Sequence, residues 1–391
     1  MTETIVLIAC AILPAYGLRF DLGPLPTTAL EIFLLLAIVF LSYQIFVKKN
    51  LPRRYAPPEK ADKLFWTAAI LILAATAAGI VVAPDKRAAL GIARAYFWEP
   101  MIFAGLIIKA RPDPQKIFNA ALYGFSLSAA AIIGYGIFQY FFPGLIPSAY
   151  AAGHRITSLY SYPNAVALYL APLAPLFLAS LFTIPLAALA ILAIILAQSV
   201  GGLVAVLAAF FVAGLSFRKT RVAAIVAVVF VSAAFAFAPQ LSGLRTQILM
   251  EDWSGRVHEI GWQESWAMLK DHPLFGAGLS GYPTVVKPYH TAQGVEIFQY
   301  PHNIFLAIWS ELGLLGLFGF AILFIWFFKT VLKRNTLNPI PHALKLLAAA
   351  MVAILVHGLV DVPYFKNDLA LMFWILIAIT AIMKRERGMP R

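Results

Sequence analysis

The chain is poor in cysteine and in charge. Its one cysteine, Cys10, excludes an intramolecular disulfide and any Cys-based metal site, and says nothing of redox compartment. Charged residues make up 12% of the chain against 61% hydrophobic, with a mean hydropathy of +0.83; soluble domains carry about 25% charged residues. The apolar runs are long and rich in Leu, Ala and Ile, and no series of short alternating strands appears. A β-barrel is therefore excluded in favour of membrane-spanning helices. There is no internal repeat and no low-complexity segment. Neither a His-x-x-x-His nor an Asp-x-Asp motif lies on the outer segments defined below, so no metal and no cofactor is expected. The first apolar run lacks a basic n-region and a clear small-residue cleavage site, and reads as a retained span.

Twelve spans are predicted, at about 4–18, 27–47, 63–83, 88–108, 117–142, 163–181, 183–198, 201–217, 222–238, 303–328, 342–360 and 367–383. The expectation is an all-α polytopic membrane protein: spans one to nine over 1–238, a long polar loop with short helices over 239–302, and spans ten to twelve with a tail over 303–391. Placing both termini in the cytoplasm puts 20 of the 30 basic residues on inner segments, the bias expected of inner loops. Loss of one span would invert every later loop. The formal charge of +12 is thus read as orientation and membrane-lipid contact, not nucleic-acid binding. Leu51–Pro58 is a Pro-rich inner linker. The polar stretches that look least like connectors all fall outside: 143–162, 199–202, 239–302 and 361–366.

Each polar group on these stretches has a structural and a functional reading. His154 and Arg155 precede Pro163-Asn164, an ordinary helix start; alternatively, the guanidinium grips phosphate. Gln198-Ser199-Val200-Gly201-Gly202 is a tight turn or an anion-binding nest. Asp252 or Ser254 caps a helix to about Lys270 whose Trp262, Trp266 and Leu269 form one apolar stripe, predicting an amphipathic helix on the membrane surface. Arg256, in its first turn, opposes the helix dipole and needs an anionic partner. Gly276-Ala277-Gly278 reads as a structural turn. His302 stands beside Asn303 at a helix cap, and Glu311 lies about 14 Å further along the axis. Intramembrane Glu311, Arg94, Glu99 and Glu31 each need a partner. His357 and Asp361 share a helix face, where a mutual hydrogen bond is the simpler reading. With no ATP outside the cytoplasm, the energy for a reaction there comes with the substrate. Basic residues, histidines and aromatics suit a lipid-linked pyrophosphate sugar.

These residues resemble the O-antigen ligase/polymerase superfamily of bacterial envelope glycosyltransferases. The resemblance covers the twelve-span layout and is densest over Arg155–Asp361: His154-Arg155 to Pro163-Asn164, Gly255-Arg256 through Trp262 to Asp271-His272-Pro273-Leu274-Phe275-Gly276-Ala277-Gly278, Pro301-His302-Asn303 with Glu311-Leu312-Gly313, and His357 to Asp361. It implies a GT-C-like fold in the bacterial inner membrane, with a large periplasmic loop after the ninth span and the active site facing the periplasm. It also implies metal-independent transfer of a glycan from undecaprenyl pyrophosphate to an acceptor: lipid A–core in ligases, other glycans or proteins in relatives. His302 matches the histidine that activates the acceptor hydroxyl, and Arg256 an arginine that binds pyrophosphate. The expected substrate-binding set is Arg155, His154, Asn164, Ser199, Trp262, Asn303, Glu311, Arg94 and Asp361. Many ligases carry Ser-Arg where this chain has Ser199-Val200; Arg155 or Arg94 substitutes, or the acceptor is not lipid A–core. The rival reactions are polymerisation of the glycan and, in a different class, transport of anions or lipid-linked sugars. Against transport, no inverted repeat appears.

Overall fold

The computed structural model describes residues 1–22, 25–48, 62–238, 242–333 and 342–387. The expected linker Leu51–Pro58, the loop's first residue Pro239, and Lys49, Arg53, Arg54, Lys60, Arg334 and Arg391 of the basic segments lie outside these.

Helices stand wherever the apolar runs predict a span. The first are α1 (Thr2–Ala11), α2 (Ala29–Ser42) and α3 (Lys63–Val82). α4 (Lys86–Ile92) runs through a π-helical stretch, Ala93–Trp98, into α5 (Glu99–Ala110). Then come α6 (Pro114–Phe141), α7 (Asn164–Leu176), α8 (Ile184–Leu196), α9 (Val200–Ser216) and α10 (Arg221–Phe237). The long loop carries α11 (Ser242–Ile248) and α12 (Trp253–Asp271). α13 (Ile304–Leu332), α14 (His342–His357) and α15 (Asn367–Arg387) complete the chain. Among the described residues six helices are long and apolar enough to cross a membrane, and six more apolar helices are 10–17 residues long, against about 20 for a full crossing. α7 and α8 are separate helices: Thr183 donates its hydroxyl to Phe177 O at 2.7 Å and Ser180 O at 3.0 Å, closing the turn between them.

One element has no counterpart in the all-α expectation. Arg19–Leu22 (β1) and Leu25–Thr28 (β2) form an antiparallel hairpin. Its last residue, Thr28, caps α2 in a reciprocal box with Glu31. Glu31 also meets Arg94 at 2.8 Å, and Arg94 Nε lies 3.1 Å from Glu99. Arg94 thus bridges two carboxylates, hydrogen-bonded to Glu31 and ion-paired with Glu99, whose oxygens accept no hydrogen bond among the described residues.

Two packing groups place the loop. α7, α9 and α14 pack together, and α3 runs against α13. α13 is not continuous: Gly313 has φ 64° and ψ −171°, a conformation that L side chains resist. The backbone groups freed there are taken up by the turn after α12. Leu314 N–H donates to Leu274 O at 3.1 Å and Ala277 N–H to Ser310 O at 2.6 Å. Trp309 Nε1 donates to Pro273 O at 2.8 Å. Leu279 N–H reaches Gly79 O of α3 at 3.1 Å. Broken helix inside apolar surroundings is tolerated when protein supplies the missing partners. Gly278 (φ 77°) is needed because a Cβ would come within 2.7 Å of Ala83 N. Glu311, fully buried, accepts the Ser280 N–H at 2.5 Å. That contact partners one oxygen of this carboxyl, Oε2, and it lies in the turn that anchors the loop. Met268, Leu269, Ala277, Tyr282 and Val286 form a small second core beneath α12.

Glu311→Ala leaves a part-buried N–H without its acceptor and is expected to destabilise the protein by about 1–3 kcal/mol, whereas Glu311→Gln, which keeps an acceptor oxygen, loses less. Unfolding in detergent followed by tryptophan fluorescence separates the two; equal stabilities would refute the anchor.

Candidate functional site

Polar residues from before α7, the starts of α7, α9 and α12 and the end of α14 converge on a cavity of about 360 Å³. Three walls build it: the first turn of α9 with Arg155, the end of α14 with Asp361, and the start of α12.

Arg155 comes from the segment after α6. Its Nε donates to Ala197 O at 3.2 Å and its Nη2 to Asn164 Oδ1 at 3.3 Å. Burial lowers its pKa, yet a guanidinium remains charged. Ser199 caps α9, its hydroxyl accepting the Gly202 N–H at 3.4 Å. The residue with positive φ in this turn is Gln198 (52°), not a glycine. Gly201 and Gly202 lie inside α9 and let it approach its neighbours: a Cβ on Gly201 would lie 2.8 Å from Val360 Cγ2 and 3.2 Å from His357 Cδ2. The close approach brings the positive end of the α9 dipole to the cavity.

Asp361 is the junction. Its Oδ2 accepts from Asn164 Nδ2 at 3.5 Å, its Oδ1 from the Val362 N–H at 2.8 Å, and Oδ1 lies 3.6 Å from His302 Nδ1. The last is an ion-pair separation, longer than a hydrogen bond. Burial pushes the Asp361 pKa up, but His302, His357 and the Val362 N–H outweigh it and hold the carboxyl below its usual range. His302 has φ 49°, a conformation that costs a residue with a Cβ about 1–2 kcal/mol. It is held there from several sides. Trp262 Nε1 donates to His302 O at 3.4 Å, and the rings of Phe298 and His258 pack on the imidazole with centroids at 4.8 and 5.1 Å. Asn303 caps α13, accepting the Phe305 and Leu306 N–H groups at 3.0 and 3.1 Å and donating to Leu359 O at 3.0 Å. The cap ties the start of α13 to the end of α14.

The expected site therefore divides. Arg155, Asn164, Ser199 and Asp361 line the cavity; His302, Trp262 and Asn303 join them through the contacts above. His154 does not line it: its Nε2 lies 2.8 Å from Tyr140 O and its ring on Tyr140. Arg94 belongs to the Glu31–Glu99 cluster and Glu311 to the loop turn. Arg256 is exposed, next to the lining residue Gly255, and makes no ion pair among the described residues. The stripe on α12 meets protein: Trp262 holds His302, Trp266 packs edge-on against Trp309 of α13, and Leu269 enters the second core. His357 and Asp361 share a backbone bond, Asp361 N–H to His357 O at 3.0 Å, but the buried His357 Nδ1 has no partner among the described residues. Asp252 caps α12, accepting the Gly255 N–H at 2.8 Å. Two polar lining residues, His258 and Gln247, were not singled out from sequence. The signal for His258 was its place four residues before Trp262, hence on the same helix face. Among the described residues no three His, Cys, Asp or Glu side chains are grouped to hold a metal.

Residues 185–321 match a family model described as O-antigen ligase. The matched stretch runs from α8 past the break in α13 and includes His258 and His302, while Arg155 and Asp361 lie to either side of it. No curated protein matches the chain.

Because the Asp361 carboxyl titrates lower in the folded than in the unfolded protein, its contribution to stability is present above the unfolded value of about 3.9 and lost as pH falls through the lower folded one. The stability gap between wild type and Asp361→Asn is expected not to narrow above about pH 4 and to close below it. Melting temperatures across pH check this; a gap that narrows between about pH 7 and 5 would contradict the assignment.

Proposed function

We propose that this chain, a member of the O-antigen ligase/polymerase superfamily, transfers a glycan from undecaprenyl pyrophosphate to an acceptor hydroxyl at the periplasmic face of the bacterial inner membrane, as an O-antigen ligase acting on lipid A–core. The family match indicates an O-antigen ligase or polymerase-type glycosyltransferase; the donor, acceptor and membrane face are the finer part of the proposal. The observation that carries it is the convergence on one cavity of Arg155, the Ser199 end of α9, Asn164 and Asp361, with His302 3.6 Å from Asp361.

In this reading the donor's phosphates lie against Arg155 and the N-terminal N–H groups of α9. Cationic and dipolar donors fixed in place stabilise charge as it builds on a leaving group. Asp361 orients His302 and stabilises its cation, as a carboxylate does behind a catalytic imidazole. His302 takes the proton of the acceptor hydroxyl. The acceptor oxygen forms its bond to the anomeric carbon as the bond to the pyrophosphate oxygen breaks, and the electron pair leaves on the phosphate. A single displacement inverts the anomeric carbon. Arg256, at the rim, serves phosphate from outside the cavity wall. The basic residues on the opposite segments support the periplasmic orientation. The Trp262 contact makes α12 the cover of the site, since it fixes His302 from the loop side.

Val200 favours a second acceptor. It stands where many ligases have the arginine that the resemblance assigns to phosphate, so extension of the glycan itself is the competing reaction. A product of stepped, increasing length marks a polymerase, and a single adduct on lipid A–core marks a ligase.

With purified protein in liposomes and an undecaprenyl-pyrophosphate glycan, His302→Ala is expected to lower turnover by about 10²–10⁴-fold and Arg155→Ala by about 10²-fold or more. Full activity in both variants would remove the site assignment.

A further inference from the structure

His258 packs its ring on His302, but the mechanism above gives its own ring nitrogens no task. Its Nδ1 lies 2.6 Å from Ser254 O. A carbonyl oxygen only accepts, so Nδ1 carries the hydrogen. In the neutral ring Nε2 then presents a lone pair, and it has no partner among the described residues. The residue lines the cavity, whereas His302 does not. The two rings meet edge to face at 5.1 Å, and the His258 ring lies 6.2 Å from that of Trp262. Arg155, Asn164 and Ser199 line the same cavity from other elements, the segment before α7 and the starts of α7 and α9.

The two walls offer opposite chemistry. The Arg155 side supplies a positive charge and the N–H groups of a helix start, which suit phosphate oxygens. The His258 side supplies an imidazole lone pair, which accepts a hydrogen bond from a hydroxyl and repels an anionic oxygen. A neutral imidazole at this place therefore selects for a hydroxylated ligand and leaves the charged one to the other wall.

We propose that His258 is an acceptor-binding residue: its Nε2 accepts a hydrogen bond from a sugar hydroxyl adjacent to the one that His302 deprotonates. The acceptor is then a carbohydrate presenting two neighbouring hydroxyls to a pair of imidazoles, rather than a lone alcohol. The inference rests on the glycosyl-transfer reading. His258 exchanges no proton in it, so the reaction's balance is unchanged.

The test uses the full chain in liposomes, with an undecaprenyl-pyrophosphate glycan as donor and both lipid A–core and a lipid-linked glycan as acceptors. Binding of undecaprenyl pyrophosphate alone is measured beside turnover. His258→Ala is expected to raise the acceptor KM at least about tenfold, a larger change than the fall in kcat that follows from the lost ring contact with His302. It should bind undecaprenyl pyrophosphate within about twofold of wild type, which also reports that the fold survives. His258→Gln, which keeps an accepting oxygen, is expected to recover part of the loss, and Arg155→Ala to show the reverse pattern, weak undecaprenyl pyrophosphate binding. The proposal is overturned if His258→Ala weakens undecaprenyl pyrophosphate as Arg155→Ala does. It is equally overturned if the acceptor KM stays within about twofold of wild type, or if Gln is no better than Ala. If the wild type turns over neither acceptor, the transferase reading itself falls and takes this inference with it.

Discussion

A buried carboxylate must be paired or give up its charge, and at Asp361 that constraint shapes the cavity. Its partners come from three separate parts of the chain: Asn164 at the start of α7, His302 just before α13, and the Val362 N–H beyond α14. Removing any one would leave the others to hold a charge among apolar helices. The pairing therefore does more than stabilise. It fixes the position of His302 relative to Arg155, because Asn164 bonds to Asp361 on one side and Arg155 on the other.

The long loop depends on a second constraint of the same kind. A helix broken in apolar surroundings needs its loose N–H and C=O groups satisfied, and the break at Gly313 is satisfied by the turn that follows α12. Glu311 and Trp309 fasten that turn. At the other end of α12, Trp262 bonds His302. The loop is thus anchored at α13 and reaches over the cavity, which explains how residues from a polar insertion and from apolar helices come to share one site.

Much of the fold was legible because long apolar runs have few alternatives in an all-helical membrane protein. What was not legible arose from local backbone choices. The β1–β2 hairpin is only eight paired residues, and its register is invisible to hydropathy. The break in α13 follows from a single glycine in an otherwise continuous run. In the site, Arg155, Asn164, Ser199 and Asp361 stood out as polar residues at the ends of apolar runs, and they do converge. Arg94 and Glu311 stood out equally, yet each is engaged locally, with Glu31 and Glu99 or with Ser280; composition alone does not tell an internal ion pair from a ligand-binding charge. Gly201 and Gly202 suggested a tight turn or a nest, but they lie inside α9 and serve helix packing against His357, Val360 and Ala167. His258 was hidden because the Trp stripe of α12 explained that helix without it.

The central claim is that phosphate and acceptor occupy opposite walls of one cavity. It is tested most directly by a cryo-electron microscopy map of the protein with undecaprenyl pyrophosphate bound. The account requires the phosphates against Arg155 and the Ser199 end of α9, with His258 on the α12 wall, and His302 packed beside it, left free. Phosphates found on His258, or in the Arg94 cluster of the first half, would contradict it.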